Sequence, residues 1–286
     1  MIVQWYPGHM TKAKRMMQED IKLIDLCIEL LDARIPISSR NPDIDDLAKG
    51  KSRLILLNKS DLSDAKANDK WLDYFKEKGF TCLLIDSKNR TGFNQIKKAI
   101  EEACAKKIER DRKRGITGRP VRAMIVGIPN VGKSTFINSL CKKACTKTGN
   151  KPGVTKGKQW IRLDKNVELL DTPGILWPKF ENDSIGENLA YIGSINDEIL
   201  DITELAMNLV AFIKNNYPGF LGSRYNVTEE VEVLGLLERI ARVRGCLKKG
   251  DEVDLEKASK IIIDDFRAGK LGRITVELPQ NADDKI

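Results

Sequence analysis

The chain of 286 residues is poor in histidine and aromatic residues, and its cysteines are not paired in sequence. His9 is the one histidine, and the six cysteines include no CxxC pair, which argues against a zinc site or a disulfide framework. No apolar run approaches the roughly 20 residues that cross a bilayer. The N-terminus also lacks the layout of a signal peptide. We therefore expect reduced thiols, no membrane contact and a cytoplasmic location.

The overall composition is that of a soluble globular protein, with 41% hydrophobic and 31% charged residues. The length predicts about two domains. The net charge of +8 is unevenly spread: residues 1–179 contain 36 Lys/Arg and 21 Asp/Glu, whereas residues 180–286 contain 13 and 20. The basic excess is concentrated in residues 104–122 and 142–165. Such patches favour a polyanionic partner, although solvated charge that aids solubility would give the same pattern.

Residues 127–134, Gly-Ile-Pro-Asn-Val-Gly-Lys-Ser, fit the pattern G-x-x-x-x-G-K-[ST] of a phosphate-binding P-loop. The preceding residues 121–126 predict a buried strand, and residues 135–140 predict a helix. The alternative is a chance glycine-lysine turn, but such a turn would not need a strand before it and a helix after it. In that arrangement backbone N–H groups and the positive helix end converge on phosphate oxygens. Lys133 would contact the β/γ-phosphates and Ser134 would bind Mg²⁺. The predicted nucleotide-binding residues here are Asn130, Val131, Gly132, Lys133, Ser134 and Thr135.

Two apolar runs nearer the N-terminus, residues 26–32 and 53–57, predict further buried strands. The second ends in Asn58-Lys59-Ser60-Asp61, which fits N-K-x-D, the guanine-binding motif of GTPases. The Asp61 carboxylate can accept hydrogens from guanine N1–H and the 2-amino group, a pairing that adenine cannot offer. Asn58 and Lys59 would brace the loop, with the lysine stem over the base. At the carboxyl end of a strand this tetrapeptide lies where open α/β sheets bind ligands.

Residues 71–78 predict a helix, and a further strand, residues 82–85, ends in Asp86-Ser87-Lys88-Asn89. This sequence resembles the short loop of GTPases whose backbone contacts guanine O6. Alone it would be an ordinary turn, but after the guanine-binding motif it predicts that Ser87 and Lys88 bind GTP. Apolar positions from Ile96 to Ile108 then predict one long helix.

Two more motifs follow the P-loop. Residues 142–158 predict a polar loop that contains Thr155, which is suited to close over Mg²⁺ and the γ-phosphate. Residues 160–163 and 167–170 predict a hairpin, and its second strand leads into Asp171-Thr172-Pro173-Gly174, a D-x-x-G motif. Asp171 would hold Mg²⁺ through water, and the Gly174 N–H would bond to the γ-phosphate. Loss of those contacts on hydrolysis lets a switch relax.

The order of these motifs is unusual, because both guanine-binding motifs precede the P-loop. The simplest explanation is circular permutation, with the old termini joined through residues 95–122. We therefore predict an α/β fold: a circularly permuted P-loop GTPase domain over residues 1–178, followed by a smaller all-α domain over residues 179–286. The motif order in the first domain is G4-G5-G1-G2-G3, where G4 is N-K-x-D, G5 is the loop at residues 86–89, G1 is the P-loop, G2 contains Thr155 and G3 is D-x-x-G. Residues 1–24 would form an N-terminal segment and helix, and residues 104–122 a basic joining segment.

Over nearly its whole length the sequence resembles the circularly permuted, ribosome-associated GTPases of the ribosome biogenesis GTPase A (YlqF) type. The resemblance includes residues 5–10 (Trp-Tyr-Pro-Gly-His-Met), 32–36 (Asp-Ala-Arg-Ile-Pro), 39–42 and 264–272. It implies a late assembly factor that binds the large ribosomal subunit and its rRNA and leaves upon GTP hydrolysis. We expect GTP/GDP, Mg²⁺ and K⁺ as ligands, no DNA partner, and a monomer.

The resemblance also bears on the hydrolytic group. Many GTPases place a water-orienting glutamine after D-x-x-G, but this chain has Ile175 there. The resemblance suggests that His9 orients or deprotonates water instead; alternatively it packs on Trp5 or contacts RNA. Asn130 matches the asparagine of K⁺-using GTPases, where the ion would replace the charge of an arginine finger. The alternative is that Asn130 bonds only to its own loop.

Residues 180–286 have apolar side chains at helical spacing, which predicts a helical core. A basic edge on this part could contact RNA or could be a solvated face; it comprises Arg239, Arg242, Arg244, Lys248 and Lys249. The preferred function is a slow GTPase, stimulated by a ribosomal partner, that serves large-subunit maturation. The alternative is a GTP-dependent RNA-binding switch module whose hydrolysis is incidental. The guanine-binding motif disfavours a P-loop kinase or ATPase.

Overall fold

The computed structural model describes residues 8–116, 118–141, 159–163, 165–172, 174–177, 180 and 182–281, without the side chains of residues 8–10, 13, 159 and 281. A six-stranded sheet crosses its N-terminal part. The strands are β1 (Leu26–Asp32), β2 (Ser52–Asn58), β3 (Thr81–Leu84), β4 (Val121–Val126), β5 (Gln159–Arg162) and β6 (Val167–Asp171). They lie in the order β3-β2-β1-β4-β6-β5, and all pairs are parallel except β5 with β6.

Helices connect and follow the strands. Those of the N-terminal part are α1 (Gly8–Asp20), α2 (Asp43–Leu47), α3 (Ala65–Glu77), α4 (Phe93–Ala103), α5 (Ala105–Lys113) and α6 (Lys133–Cys141). Those of the C-terminal part are α7 (Asp183–Tyr191), α8 (Ile202–Asn216), α9 (Phe220–Tyr225), α10 (Val233–Val243) and α11 (Leu255–Arg267). None of the helices in the described ranges is both long and apolar enough to span a bilayer.

The central strands are nearly continuous apolar runs because a parallel sheet is covered on both faces. Alternate residues of β1 and β2 enter opposite layers. Leu31 and Leu57 pack with α3 on one face, whereas Leu30 and Leu56 join the larger apolar cluster on the other. The strand β1 has the bounds predicted from its sequence. This packing fixes which residue ends each strand.

The register brings the carboxyl ends of four strands to one edge of the sheet. Asp32 at the end of β1 lies opposite Asn58 at the end of β2. On the other side of β1, Ile125 of β4 lies opposite Asp171 of β6. The predicted guanine, phosphate and D-x-x-G motifs all follow these ends, so this edge is where a ligand would bind.

The helical part packs against the sheet rather than apart from it. The larger apolar cluster runs without interruption from β1, β4 and β6 into α7, α8, α10 and α11. Residues 268–277, which follow α11, form no helix. This C-terminal tail (residues 268–277) returns to the sheet, where Val276 N–H donates to Arg34 O at 2.8 Å. Contacts therefore cross the boundary predicted between residues 178 and 179.

Two helix predictions were wrong in detail. The single long helix predicted over residues 96–108 is divided at the buried Cys104 into α4 and α5. The apolar stripe ends there, and α5 is anchored instead by Lys107, which pairs with Asp25 at 3.5 Å and with Asp111 at 3.1 Å. Helix α3 begins six residues before the predicted Trp71, because the Asp64 side chain accepts a hydrogen bond from Ala67 N–H at 3.0 Å and caps it.

Candidate nucleotide-binding site

The predicted P-loop connects β4 to α6 and is packed tightly against the guanine-binding motif. Gly132 has φ +97°, a conformation that side chains rarely adopt. A Cβ added to Gly132 would lie 2.5 Å from Asn58 Nδ2. A glycine is therefore needed at this position both for the backbone angle and for the close approach of the neighbouring motif.

Lys133 lies in the first turn of α6 and folds back over the loop. Its Nζ donates to Gly127 O at 2.7 Å and to Ile128 O at 3.1 Å. Burial lowers the pKa of Lys133 to about 8, although the nearby Asp171 acts in the opposite direction. A cation held over the mouth of a P-loop is suited to phosphate oxygens, which would restore its charge.

Asp171 ends β6 on the other side of the P-loop. Its Oδ2 is buried and has no hydrogen-bond partner within the described part of the chain. Burial raises the pKa of Asp171, and the Lys133 charge counteracts that rise. An orphaned carboxylate oxygen beside the α6 N-terminus, where Ser134 lies, fits the oxygen ligands that Mg²⁺ prefers. We propose Ser134 and Asp171, the latter through water, as the residues that would hold this ion.

The D-x-x-G glycine lies directly over the P-loop. A Cβ on Gly174 would be 2.8 Å from Lys133 Nζ and 3.0 Å from Pro129 N. The strand before it is fixed by Thr172, whose hydroxyl donates to Ile125 O at 2.6 Å. This close approach supports the proposal that the Gly174 N–H contacts the γ-phosphate.

Asn58 connects three of the predicted motifs. Its Nδ2 donates to Val131 O of the P-loop at 2.7 Å. Its Oδ1 accepts from Ser87 N–H at 3.0 Å and from the Ser87 hydroxyl at 2.8 Å. Ser87 O in turn accepts from the Ser139 hydroxyl on α6 at 2.6 Å. One buried amide thus sets the distance between the guanine-binding motifs and the P-loop.

Lys59 is the second link between these motifs. It has φ +59°, and its Nζ donates to Asn130 O at 2.7 Å. The same nitrogen pairs with the buried Asp32 carboxylate at 2.9 Å. Burial alone would raise the pKa of Asp32, but the charges of Arg34 and Lys59 outweigh it and hold that pKa well below its ordinary range. The lysine is therefore fixed at the loop, as a stem that lies over a base requires.

Asp61 lies at the open side of the site and is partly exposed. Burial and the neighbouring Asp86 raise the pKa of Asp61. The Asp86 side chain shapes the second guanine-binding loop, because its Oδ1 accepts from Lys88 N–H at 2.8 Å and from Asn89 N–H at 3.1 Å. Asp61, Ser87 and Lys88 thus follow adjacent strands, an arrangement that suits a guanine base between them.

The remaining predicted site residues have different outcomes. Thr155 and the side chain of His9 lie outside the described residues. Asn130 has φ +63°, and its Nδ2 donates to Gly193 O in the helical part. The Ile175 side chain is buried in the apolar core, so it has no part in orienting water. Val131 is buried beneath the loop, whereas Thr135 is exposed on α6.

The sequence analysis missed a group of buried ionic contacts beside this site. Asp32 and Arg34 form an ion pair at 2.8 Å, and Arg34 Nη1 donates to Phe266 O of α11 at 3.2 Å. Ser194, in the turn after α7, donates to Pro129 O of the P-loop at 2.7 Å. The sequence does contain one signal that could have indicated this group, namely a charged residue, Asp32, at the end of an apolar strand.

The chain is similar to proteins that bind and hydrolyse GTP. A family model described as a 50S ribosome-binding GTPase matches residues 122–238, beginning in β4. Ribosome biogenesis GTPase A of Bacillus cereus is 46% identical over 287 residues, which cover 100% of this chain and 97% of that protein. The protein of the same name from Thermotoga maritima is 34% identical over 98% of this chain and 95% of its own length.

Solved structures show the same fold. GDP-bound YlqF of T. maritima matches with a TM-score of 0.70 at 27% identity, over 93% of this chain and 100% of that one. GNP-bound YlqF of T. maritima matches with a TM-score of 0.66 at 28% identity, over 94% and 99%. The predicted fold class, a circularly permuted P-loop GTPase domain followed by helices, is thereby confirmed.

Proposed function

Because the chain belongs to the ribosome biogenesis GTPase A family and is a GTP hydrolase, we propose that it binds the large ribosomal subunit and couples hydrolysis to a late step in assembly of that subunit. The observation that carries the proposal is the contact of Asn58 with both the P-loop and Ser87. This contact supports a single guanine-nucleotide site, formed from motifs that are permuted in sequence and adjoining the helical part.

Different residues of the proposed site would contact different parts of GTP. Asp61 would select guanine through N1–H and the 2-amino group, and Lys133 and the P-loop N–H groups would bind the phosphates. Mg²⁺, when bound, would neutralise charge that develops on the β/γ-phosphate oxygens. Thr155 and Gly174 would respond to the γ-phosphate, so that its loss changes the segment that leads into the helical part.

The attacking water needs a group other than residue 175, because the Ile175 side chain is buried and apolar. We propose His9, whose neutral imidazole could orient or deprotonate water. We also propose that K⁺ near Asn130 supplies the positive charge that an arginine finger gives elsewhere. In this structure the Asn130 amide N–H group donates to Gly193 O, so its side chain joins the loop to the helical part.

The proposed partner is rRNA of the large subunit. The basic edge of the helical part is exposed at all five predicted positions, and Val243 and Leu247 are exposed among them. Cationic side chains bind phosphates, and an adjoining apolar surface suits unstacked bases. The helical part would thus contact RNA while the site described above holds GTP. We further propose that the protein acts as a cytoplasmic monomer.

The first test is the GTP hydrolysis rate with and without purified large ribosomal subunits, in potassium and in sodium buffer. The proposal expects strong stimulation by the subunits in potassium. A rate that does not respond to subunits contradicts the proposal. Stimulation that is equal in sodium contradicts only the K⁺ assignment.

The second candidate is a GTP-dependent RNA-binding module whose hydrolysis is incidental, and the exposed basic edge favours it equally. The two are separated by His9→Ala, combined with subunit binding and turnover assays. The preferred function requires that this variant binds subunits with GTP but loses stimulated turnover and stays bound. If the variant binds and is released like the wild type, hydrolysis is incidental.

A further inference from the structure

The C-terminal tail is bonded along its length to the guanine-binding motif and to the loop after β1. Ile274 N–H donates to Leu62 O at 3.0 Å. Asp64 N–H donates to the Thr275 hydroxyl at 2.9 Å, and the Trp71 indole donates to Glu277 O at 2.9 Å. These partners are separated by more than 200 residues in sequence. The tail is thus fixed against α3 and against the loop that follows the guanine-binding motif.

Arg273 makes the contact nearest to the base-binding residues. Its Nε donates to Asp61 O at 3.1 Å and its Nη2 donates to Ser60 O at 3.1 Å. The planar guanidinium group therefore holds two consecutive carbonyl groups of the motif Asn58–Asp61. A fork of this kind fixes orientation as well as distance, and a lysine ammonium could not reproduce it.

The inner side of the same loop is already fixed by other bonds. Ser60 N–H donates to Ile85 O at 3.2 Å, and Leu62 N–H donates to Lys59 O at 2.9 Å. Ser60 O also accepts from the buried Ser63 hydroxyl at 3.3 Å, and Arg273 binds the Ser60 and Asp61 carbonyl groups from the exposed side. The backbone of Asp61 is consequently held between β3 and the C-terminal tail, which limits the directions its side chain can take.

A second connection reaches Lys59 from the end of α11. Arg34 Nη1 donates to Phe266 O at 3.2 Å, and its guanidinium carbon lies 5.1 Å from the centre of the Phe266 ring. Arg34 also pairs with Asp32, which pairs with Lys59. The residues 266–277 therefore support both the lysine and the aspartate of the guanine-binding motif.

We propose that Arg273 is a positioning residue for guanine recognition, acting through the backbone of Asp61. It keeps the Asp61 carboxylate directed at the guanine N1–H and 2-amino group, and it makes the C-terminal tail a determinant of nucleotide specificity. The inference concerns guanine binding alone and does not depend on a ribosomal partner. It rests on the assignment of Asp61 to the base.

A contact that merely stabilises the fold would affect every nucleotide alike. A contact that positions Asp61 affects the hydrogen bonds to the guanine base. Inosine nucleotides distinguish the two cases because their base lacks the 2-amino group that Asp61 would bind. The informative quantity is therefore the ratio of the GDP affinity to the IDP affinity. Diphosphates are used so that hydrolysis does not enter the measurement.

The experiment measures displacement of a fluorescent GDP analogue by GDP and by IDP from the full-length protein. We expect Arg273→Ala to raise the Kd for GDP about fivefold to tenfold and the Kd for IDP by a smaller factor, about twofold to threefold, because hypoxanthine offers Asp61 the N1–H but no 2-amino group. Arg273→Lys keeps the positive charge but not the planar fork, and it should retain part of the GDP affinity. The control is Lys260→Ala, which removes an equal charge from an exposed pair with Glu256 on α11 and should leave both affinities unchanged.

A double-mutant cycle with Asp61→Ala measures whether Arg273 acts through the Asp61 carboxylate. Without the carboxylate, Arg273 has nothing to position, so Arg273→Ala should change the GDP affinity by less than about twofold in that background. The inference is overturned if GDP and IDP affinities fall equally, or if Arg273→Ala costs the same factor with and without Asp61. A thermal unfolding midpoint measured for each variant identifies any loss that comes from unfolding.

Discussion

Arg34 donates two hydrogen bonds to the Asp32 carboxylate, from Nε to Oδ1 at 2.9 Å and from Nη2 to Oδ2 at 2.8 Å, and neither side chain is more than 1% exposed. Asp32 also holds Lys59 of the guanine-binding motif, and Arg34 reaches Phe266 of α11. One buried pair therefore joins the end of β1 to the nucleotide site and to the helical part. Its loss should affect stability and binding together.

The first prediction concerns Arg34→Met. Among the described residues, this change leaves Lys59 as the cation that pairs with the buried Asp32, and removing one partner of a buried pair costs about 3–5 kcal/mol. We expect the free energy of unfolding, measured with urea at pH 7, to fall by about 3 kcal/mol. Lys260→Ala breaks an exposed pair and should leave the unfolding midpoint where it was, which makes it the control.

The pH dependence of the same variant gives a second prediction. The pKa of Asp32 is lower in the folded protein than in the unfolded chain, so the pair stabilises the fold above about pH 4 and loses this effect as the pH falls through the folded pKa. We expect the stability difference between wild type and Arg34→Met to be largest near neutral pH and to shrink below about pH 4. A difference that stays constant from pH 7 to pH 3 would rule out Asp32 as the group responsible.

The sequence predicted the strands well because the signal for a strand is local. The apolar run 26–32 gives β1 its bounds, and the spacing of the P-loop is fixed by the phosphate that it surrounds. The position of Gly132 against Asn58 is already implied by two motifs that must meet at one nucleotide. Motifs that are predicted to bind one ligand can thus be expected to lie together without any knowledge of the intervening chain.

The contacts that the sequence could not predict join distant segments through backbone atoms. Arg273 binds two carbonyl groups near residue 60, and any residue type offers such carbonyls. Glu277 looks like a surface residue in sequence, yet it is buried and accepts from Ile37 N–H at 2.9 Å and from Asn188 Nδ2 at 3.0 Å. Only the path of the C-terminal tail makes these partners neighbours, and no local pattern encodes that path.

The third prediction concerns the protonation of Lys133. Its pKa of about 8 in the absence of nucleotide means that the amine is largely neutral at pH 8.5, whereas bound phosphate favours the charged form. We expect GDP binding at pH 8.5 to take up a proton, and the affinity to fall as the pH rises above 8. Calorimetry in two buffers of different ionisation enthalpy measures the uptake. Lys133→Met should bind weakly and show none; equal heats for the wild type in both buffers would contradict the prediction.

The fourth prediction compares two glycines that share a backbone conformation. Gly132 and Gly250 have φ of +97° and +86°, but only an added Cβ at Gly132 meets another atom, Asn58 Nδ2 at 2.5 Å. Both alanine variants should lose about 1 kcal/mol of stability from backbone strain. We expect Gly132→Ala alone to lose at least about tenfold in GDP affinity, because displacing Asn58 misplaces both the P-loop and Ser87. Similar affinities for the two variants would show that the Asn58 contact is not needed for binding.

The last prediction concerns the contact between the P-loop and the turn that follows α7 in the helical part. Ser194 donates to Pro129 O at 2.7 Å, and Asn130 Nδ2 donates to Gly193 O. The D-x-x-G segment runs from Gly174 towards α7, so a change at the γ-phosphate can reach this turn both through the P-loop and along the chain. Nucleotide binding and the orientation of the helical part would then be coupled, and such coupling is reciprocal.

Spin labels at the exposed positions Lys98 and Lys257 would measure the distance between α4 and α11. We expect different distances with GDP and with a GTP analogue in the wild type, and a smaller difference in Ser194→Ala because one of the two links is lost. Ser223→Ala, at an exposed position on α9, is the matched control and should behave as the wild type does. Identical distances with both nucleotides in the wild type would mean that the helical part does not sense the γ-phosphate, and that release from a partner must then depend on the GTPase domain alone.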